Sequence, residues 1–152
     1  MRIFQSVFVF VTLSLTLIAC APAPESSRGF RLPDGDPIVG KQVFLDLQCH
    51  ACHFIPGMDL PLLDLEEPVR VALGGPTTQV KTYGELVTSV INPSHKLTKR
   101  YREEQVSFEG ESFMLIMNEI MTVQQLVDLV AFLQGQYQVV IPEPYPYRPF
   151  SP

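Results

Sequence analysis

The chain has 152 residues, of which 46% are hydrophobic, and a formal net charge of −5 at pH 7. This length is sufficient for one domain with a single hydrophobic core. The acidic balance argues against a nucleic-acid partner, because proteins that bind nucleic acids present basic surfaces to the phosphates.

The N-terminus has the layout of an export signal followed by a lipid-attachment cysteine. Arg2 gives a short positive start, and the apolar run that follows, residues 7–18, is too short to span a bilayer comfortably. The run closes with Leu17-Ile18-Ala19-Cys20, which resembles a bacterial lipobox, where the signal is cut before the cysteine and lipid is attached to it. We predict a signal peptide over residues 1–19 and lipid on Cys20. The alternative is an ordinary signal peptide with a cysteine near its cleavage site.

A tether and a short helix are predicted next. Residues 20–35 are rich in Pro, Ser and Gly without apolar periodicity, which predicts a flexible, lipid-anchored tether. Asp36-Pro37 is an N-cap residue followed by proline at the first helical position, so ordered structure is expected to begin there. The helix should lead to Cys49, with an apolar stripe at helical spacing. The stripe consists of Ile38, Val39, Val43, Phe44 and Leu47.

The segment Cys49-His50-Ala51-Cys52-His53 has the C-x-x-C-H pattern by which c-type haem is attached. Each thiol can add to one vinyl group of the porphyrin, and His53 then stands where it can bind the iron. The sequence therefore predicts one covalent haem c, held by Cys49 and Cys52, with His53 as an iron ligand. The remaining cysteine of the three is Cys20, so no thiol is left for a disulfide.

Two other uses of a cysteine pair fit this chain poorly. A structural zinc site needs four sulfur or imidazole ligands, and the sequence has no second cysteine pair. A dithiol oxidoreductase places its C-x-x-C after a strand, whereas a helix is predicted before Cys49 and a histidine follows Cys52 directly.

The middle of the chain is predicted to be irregular and then helical. Four prolines between residues 54 and 78 forbid a long helix there. Thr82 and Glu85 form a capping box that opens a helix, and Asn92-Pro93 ends it. A polar loop is expected from there to about Ser112.

The last helix has the clearest signals. Thr122 and Gln125 form a second capping box, and an apolar face follows as far as Gln134-Gly135. We place the folded domain at residues 36–138 and an extended, Pro-rich tail at residues 139–152.

From about Gly40 to Tyr137 the chain resembles the single-haem class I cytochromes c of bacteria, in their lipoprotein-anchored form. The likeness rests on three stretches: 40–53 with the C-x-x-C-H motif, 83–94, and the terminal helix 121–133. It implies an all-α fold, with helices packed around one covalent haem and irregular Pro-rich loops. In that family a glycine and an aromatic of the first helix pack against an aromatic of the last. Those roles fall here on Gly40, Phe44 and Phe132.

The resemblance also implies a sixth iron ligand. In this family it is usually a methionine in the loop before the terminal helix, within a Ser-x-Met-Pro stretch. Ser112-Phe113-Met114-Leu115 matches apart from Leu115, which replaces the proline, and therefore indicates Met114. The alternatives are Met117, His95, Met58 or no protein ligand. The side chains expected to shield the Met114 thioether from water are its apolar neighbours Phe113, Leu115 and Ile116.

Two details concern the histidines of the motif. An iron-bound His53 should donate its second ring N–H to a backbone carbonyl, which fixes the ring and raises its basicity. The resemblance suggests Pro61 for that carbonyl, with Pro56 as the alternative. His50, between the two cysteines, is expected to be an exposed spacer.

A chain of this kind is expected to be a one-electron carrier and not an enzyme. It would be exported, held by lipid on the periplasmic side of a bacterial membrane, and would exchange electrons with redox partner proteins. The alternatives are a fixed haem subunit of a larger oxidoreductase complex and a haem sensor with an exchangeable sixth ligand.

The lipobox yields the first test. Wild-type protein expressed in a bacterial host should partition with membranes and carry acyl mass on Cys20, because an acylated N-terminus is anchored by buried CH₂ groups. Cys20→Ser should accumulate as uncleaved precursor or be released in soluble form. Fractionation and N-terminal mass mapping check this, and a mature N-terminus elsewhere without acyl mass contradicts it.

Overall fold

The computed structural model describes residues 32–61, 63 and 69–141. Cys20, with the whole predicted signal peptide, lies outside the described residues, as do most of the tether and the tail from residue 142. The α-helices of the described part are α1 (Pro37–Asp46), α2 (Tyr83–Ile91), α3 (Glu103–Val106) and α4 (Val123–Gln134). Short 3₁₀ turns occur at Cys49–Ala51 and Pro93–His95.

Short strands accompany the helices. They are β1 (His53–Phe54), β2 (Val71–Ala72), β3 (Gly75–Thr77), β4 (Ser107–Phe108), β5 (Glu111–Ser112) and β6 (Tyr137–Val139). β1 pairs with β2 and β3 with β6, both in parallel, while β4 and β5 form an antiparallel hairpin. The sequence analysis predicted none of them, since strands of two or three residues are too short to leave an alternating pattern.

Helix α1 begins where the sequence predicts. The Asp36 carboxylate accepts hydrogen bonds from the backbone N–H groups of Ile38 (2.8 Å) and Val39 (3.4 Å), and Pro37 occupies the first helical position. The Asp36 N–H in turn donates to Oδ1 of the buried Asp128 in α4, at 2.8 Å. The start of α1 is therefore fastened to α4.

The apolar stripe predicted for α1 is only partly correct. Gly40, Val43 and Phe44 are buried, but Ile38 is 82% exposed and Val39 is 46% exposed. The helix meets α4 through the face that carries Gly40. At about 100° per residue, Ile38 points to the opposite side.

The close contact between α1 and α4 is the one that the resemblance implies. The rings of Phe44 and Phe132 lie 5.8 Å apart between centroids. A Cβ atom placed on Gly40 would overlap the carbonyl oxygen of Asp128 and stand 2.8 Å from the Cβ of Phe132. The two helices can approach this closely because residue 40 has no side chain. Val127 and Val130 of α4 are fully buried beside this contact.

Both predicted capping boxes are present. The Thr82 hydroxyl accepts from the Glu85 N–H, and the Glu85 carboxylate accepts from the Thr82 N–H, each at 3.2 Å. Thr122 and Gln125 make the same pair of bonds, at 3.1 and 2.8 Å. Helix α2 packs on α4 and buries an apolar face. That face is Leu86, Val87 and Val90.

The region predicted as a polar loop up to Ser112 contains helix α3 and the β4–β5 hairpin. Both residues of the hairpin turn have left-handed backbones, with φ of 50° at Glu109 and 84° at Gly110. Turns of this kind suit the right-handed twist of two paired strands. An Asn-Gly turn would have been recognisable in the sequence, and Glu-Gly is a weaker signal.

The domain continues slightly beyond its predicted end at residue 138. β6 includes Val139, and the Val140 N–H donates to the Thr77 carbonyl at 2.8 Å. The first residues assigned to the tail are thus paired with the domain.

The crossing of α1 and α4 predicts the effect of adding one methyl group. Gly40→Ala should lower the free energy of unfolding by about 1–3 kcal/mol, because the new Cβ forces the helices apart. Gly84→Ala, in the first turn of α2, is the matched control: its Cβ meets nothing within 4 Å. The control should leave stability unchanged or raise it by up to about 1 kcal/mol, since alanine favours helix over glycine. Thermal or urea unfolding measures both, and equal stability of the two variants contradicts the packing argument.

Candidate haem site

The two cysteines lie on a single turn directly after α1. Gln48 has a left-handed backbone, with φ of 56°, and turns the chain out of the helix into the 3₁₀ turn at Cys49–Ala51. Cys49 and Cys52 are both half-buried, and neither forms a disulfide. Burial raises the pKa of the Cys49 thiol to about 11, opposed by a backbone hydrogen bond and assisted by the neighbouring charge of Cys52. The Cys49 side chain is therefore a neutral thiol at pH 7.

His53 follows at the start of β1 with its ring held in one orientation. Its Nδ1 lies 3.3 Å from the carbonyl oxygen of Val71. A carbonyl can only accept, so Nδ1 carries the proton and Nε2 keeps its lone pair. Burial lowers the pKa of His53, and the bond to Val71 opposes that shift. A neutral imidazole with one nitrogen anchored is the form in which histidine binds metals.

The partner of His53 differs from the one expected. The resemblance suggested the carbonyl of Pro61, with Pro56 as the alternative, but the structure brings Val71 to the ring. The reason is the parallel pairing of β1 with β2, in which the Val71 N–H donates to the Cys52 carbonyl at 2.7 Å. This pairing joins residues about 18 positions apart in the chain, and no local pattern announces it.

His50 is also placed differently from the prediction. Its side chain is 5% exposed, so it is not an exposed spacer. Its ring lies 6.5 Å from that of Phe44, and within the described residues its buried Nδ1 has no hydrogen-bond partner. The turn after α1 thus brings His50 back against Phe44 of that helix.

Arg70 and Tyr101 complete the surroundings, and sequence reasoning missed both. One nitrogen of the Arg70 guanidinium, Nη2, donates to the carbonyls of His50 (3.2 Å) and His53 (3.4 Å). The guanidinium carbon stands 5.9 Å from the centroid of the Phe54 ring. The Tyr101 hydroxyl contacts the backbone of residues 70 and 72. In the sequence Arg70 is a single basic residue in an irregular stretch, and such residues are usually exposed to solvent without a specific role.

An open cavity of about 350 Å³ adjoins this site. It is lined by the chain from Phe54 to Leu60, directly after the motif, and by Arg70. Met58, one of the alternative sixth ligands, is among the lining residues. A thioether, a guanidinium and an aromatic ring therefore line a cavity next to the motif.

Met114 lies in the loop between β5 and α4. It is half-buried, and its N–H donates to the Ser112 hydroxyl at 3.1 Å. The Ser112 N–H donates to the Ser94 hydroxyl at 3.1 Å, which ties the start of the loop to the 3₁₀ turn after α2. Met117 is half-buried too, and its carbonyl accepts from the N–H groups of Ile120 and Met121.

The expected shield around Met114 is not formed by its neighbours. Phe113 is 50% exposed, Leu115 71% and Ile116 67%. These side chains project into solvent, so the loop presents an apolar surface instead of a packed cover. Ile120 and Val123 extend that surface, with 67% and 62% of their areas exposed.

His95, another alternative ligand, is exposed in the 3₁₀ turn after α2. Its Nδ1 lies 2.8 Å from the Asn92 carbonyl, within the same turn. As with His53, the anchored nitrogen leaves Nε2 available to a ligand.

No family model, curated protein or solved structure matches this chain. In the ranges given above, no three or more His, Cys, Asp and Glu side chains are grouped so that they could hold a metal ion. The same ranges contain no helix long and apolar enough to cross a membrane.

Proposed function

We propose that this chain carries one haem c, attached through Cys49 and Cys52 with His53 as the axial ligand, and works as a one-electron carrier. The observation that carries the proposal is the geometry of His53: its ring is fixed by the Val71 carbonyl beside two cysteines on one turn. When bound, the haem supplies a one-electron redox centre, and the protein sets its potential and its access to partners.

The donor set fits this cofactor. Two thiols two residues apart match the spacing of the porphyrin vinyl groups, and neither is consumed by a disulfide. His53 offers Nε2 while its other nitrogen is held by a carbonyl, an arrangement that orients a metal-binding imidazole. The contact of Gly40 and Phe44 with Phe132 is a further point of likeness to class I cytochromes c.

Met114 is the proposed sixth ligand. Its loop exposes a row of apolar side chains, and an exposed apolar surface of this kind is typical of ligand or partner contacts. A flat, largely apolar porphyrin is a suitable ligand for it. With His53 and Met114 on the iron, small molecules are excluded and the potential is raised relative to two histidines. Such a protein carries electrons and catalyses no bond-making reaction.

The anchor defines where the carrier works. Lipid on Cys20 and the tether of residues 20–35 would hold the domain on the periplasmic side of a bacterial membrane, free to reach redox partner proteins. The mature chain would lose Arg2 with the signal, which changes the net charge from −5 to −6. This charge favours protein partners over nucleic acid.

Covalent attachment is tested by mass. Protein produced with a cytochrome c assembly system and then denatured should carry the mass of one haem. Cys49→Ser or Cys52→Ser should weaken the attachment, and the double variant should lose it together with much of the folded population, since a bound cofactor stabilises the folded state. Cys20→Ser, correctly exported, is the control and should keep its haem. Apoprotein mass alone in the wild type would refute the proposal.

Iron ligation is tested with matched methionine variants. The oxidised wild type should show the weak sulfur-to-iron band near the red end of the spectrum. Met114→Ala should abolish this band and admit carbon monoxide to the reduced iron, because the sixth position is opened. Met117→Ala, three residues along the same loop, should keep the band.

Other outcomes identify other ligands. Loss of the band with Met117→Ala alone moves the assignment to Met117, and a spectral change with His95→Ala indicates two histidines. Carbon monoxide binding by the wild type indicates an open iron and favours the sensor alternative.

A further inference from the structure

One hydroxyl group braces the backbone on both sides of Val71. The Tyr101 hydroxyl accepts from the N–H of Ala72 at 3.2 Å and donates to the carbonyl of Arg70 at 3.4 Å. It therefore spans the residues before and after the one whose carbonyl receives the His53 ring. Tyr101 itself lies about 30 residues further along the chain and is half-buried.

Arg70 braces the same segment from the side of the motif. Its guanidinium donates to the carbonyls of His50 and His53, at 3.2 and 3.4 Å, and so binds the turn that carries both cysteines. Bonds from a charged donor are stronger than those between neutral groups. The Arg70 Nε is buried and has no hydrogen-bond partner among the described residues.

The two sets of hydrogen bonds come together around β2, because Arg70 directly precedes this strand and the Tyr101 hydroxyl bonds to Ala72 within it. Val71 receives the imidazole through its carbonyl and donates its N–H to Cys52, while Leu73 donates to the Phe54 carbonyl at 2.8 Å. Moving Val71 would consequently move the acceptor of the ring and the backbone of the motif together. An imidazole depends on such an acceptor for its orientation and for its strength as an electron donor.

We propose that Tyr101, together with Arg70, is a positioning residue for the iron ligand: it fixes the Val71 carbonyl and thereby sets the orientation and basicity of His53. This inference rests on the proposed function for its effect on iron, although the brace itself is a property of the protein chain. In this role Tyr101 acts through the backbone on either side of Val71, which its hydroxyl contacts at Arg70 and Ala72.

The test compares two tyrosine-to-phenylalanine variants of the haem-loaded, full-length protein. Tyr101→Phe keeps the ring and removes the hydroxyl that bonds to residues 70 and 72. Tyr83→Phe is the matched control, because the Tyr83 hydroxyl is buried and has no hydrogen-bond partner within the described ranges. The readouts are hydrogen exchange at the Val71 amide, exchange of the His53 Nδ1–H in the reduced protein, and the midpoint potential.

Tyr101→Phe should speed exchange at Val71 and at the His53 Nδ1–H by about fivefold to tenfold, as expected for the loss of one or two hydrogen bonds. The midpoint potential should rise, because a more weakly anchored imidazole donates less to the oxidised iron. Tyr83→Phe should change none of the three. Amides of Val127 and Val130 in α4 report overall unfolding and should stay protected in both variants.

A purely structural role for Tyr101 would speed exchange in α4 as well and leave the potential unchanged, which would overturn the inference. An unaltered His53 Nδ1–H in haem-loaded Tyr101→Phe would also overturn it. Wild-type protein without attached haem would refute the proposed function instead, and exchange at Val71 would still decide whether the brace exists. If Tyr101→Phe folds poorly, Arg70→Lys provides the second test: it keeps the charge, loses the planar guanidinium, and should also speed exchange of the His53 Nδ1–H.

Discussion

The close approach of α1 to α4 is the constraint on which the rest of this domain depends. Gly40 lies so near the Asp128 carbonyl that no side chain fits between the helices, and Phe44 then packs against Phe132. The carboxylate of the same Asp128 accepts a hydrogen bond from the Asp36 N–H, so α1 is fixed at its start as well as at its middle. Since the turn that carries Cys49 and Cys52 follows α1 directly, the position of this helix determines where the two cysteines lie.

The second layer of organisation is backbone pairing of residues far apart in the sequence. β1 carries His53 and is joined to β2, which supplies the acceptor for its ring. Isolated two-residue strands contribute little stability by themselves. Here they are supported by side chains, the guanidinium of Arg70 on one side and the hydroxyl of Tyr101 on the other. A site held by both backbone and side-chain bonds is well suited to keep one imidazole orientation.

The loop before α4 differs from this site in how its side chains are placed. Its backbone is fixed by hydrogen bonds at Ser112 and at the Met117 carbonyl, but its apolar side chains are exposed to solvent. Exposing a row of large apolar groups is unfavourable unless something covers them. A haem bound against this loop, as proposed above, would cover these side chains.

The sequence alone predicts the starts of α1, α2 and α4, the ends of α2 and α4, and the C-x-x-C-H motif, because each depends on residues within one turn. The contact of Gly40 and Phe44 with Phe132 joins helices far apart in the chain and was expected only from the resemblance to class I cytochromes c. The three-dimensional structure was needed to show that Val71, and not Pro61, accepts from His53, that His50 is buried, and that Arg70 and Tyr101 support the motif. The Val71 acceptor arises from a two-residue strand pairing, and the roles of Arg70 and Tyr101 arise from side-chain contacts between distant segments. Neither kind of contact leaves a periodic signal in the chain.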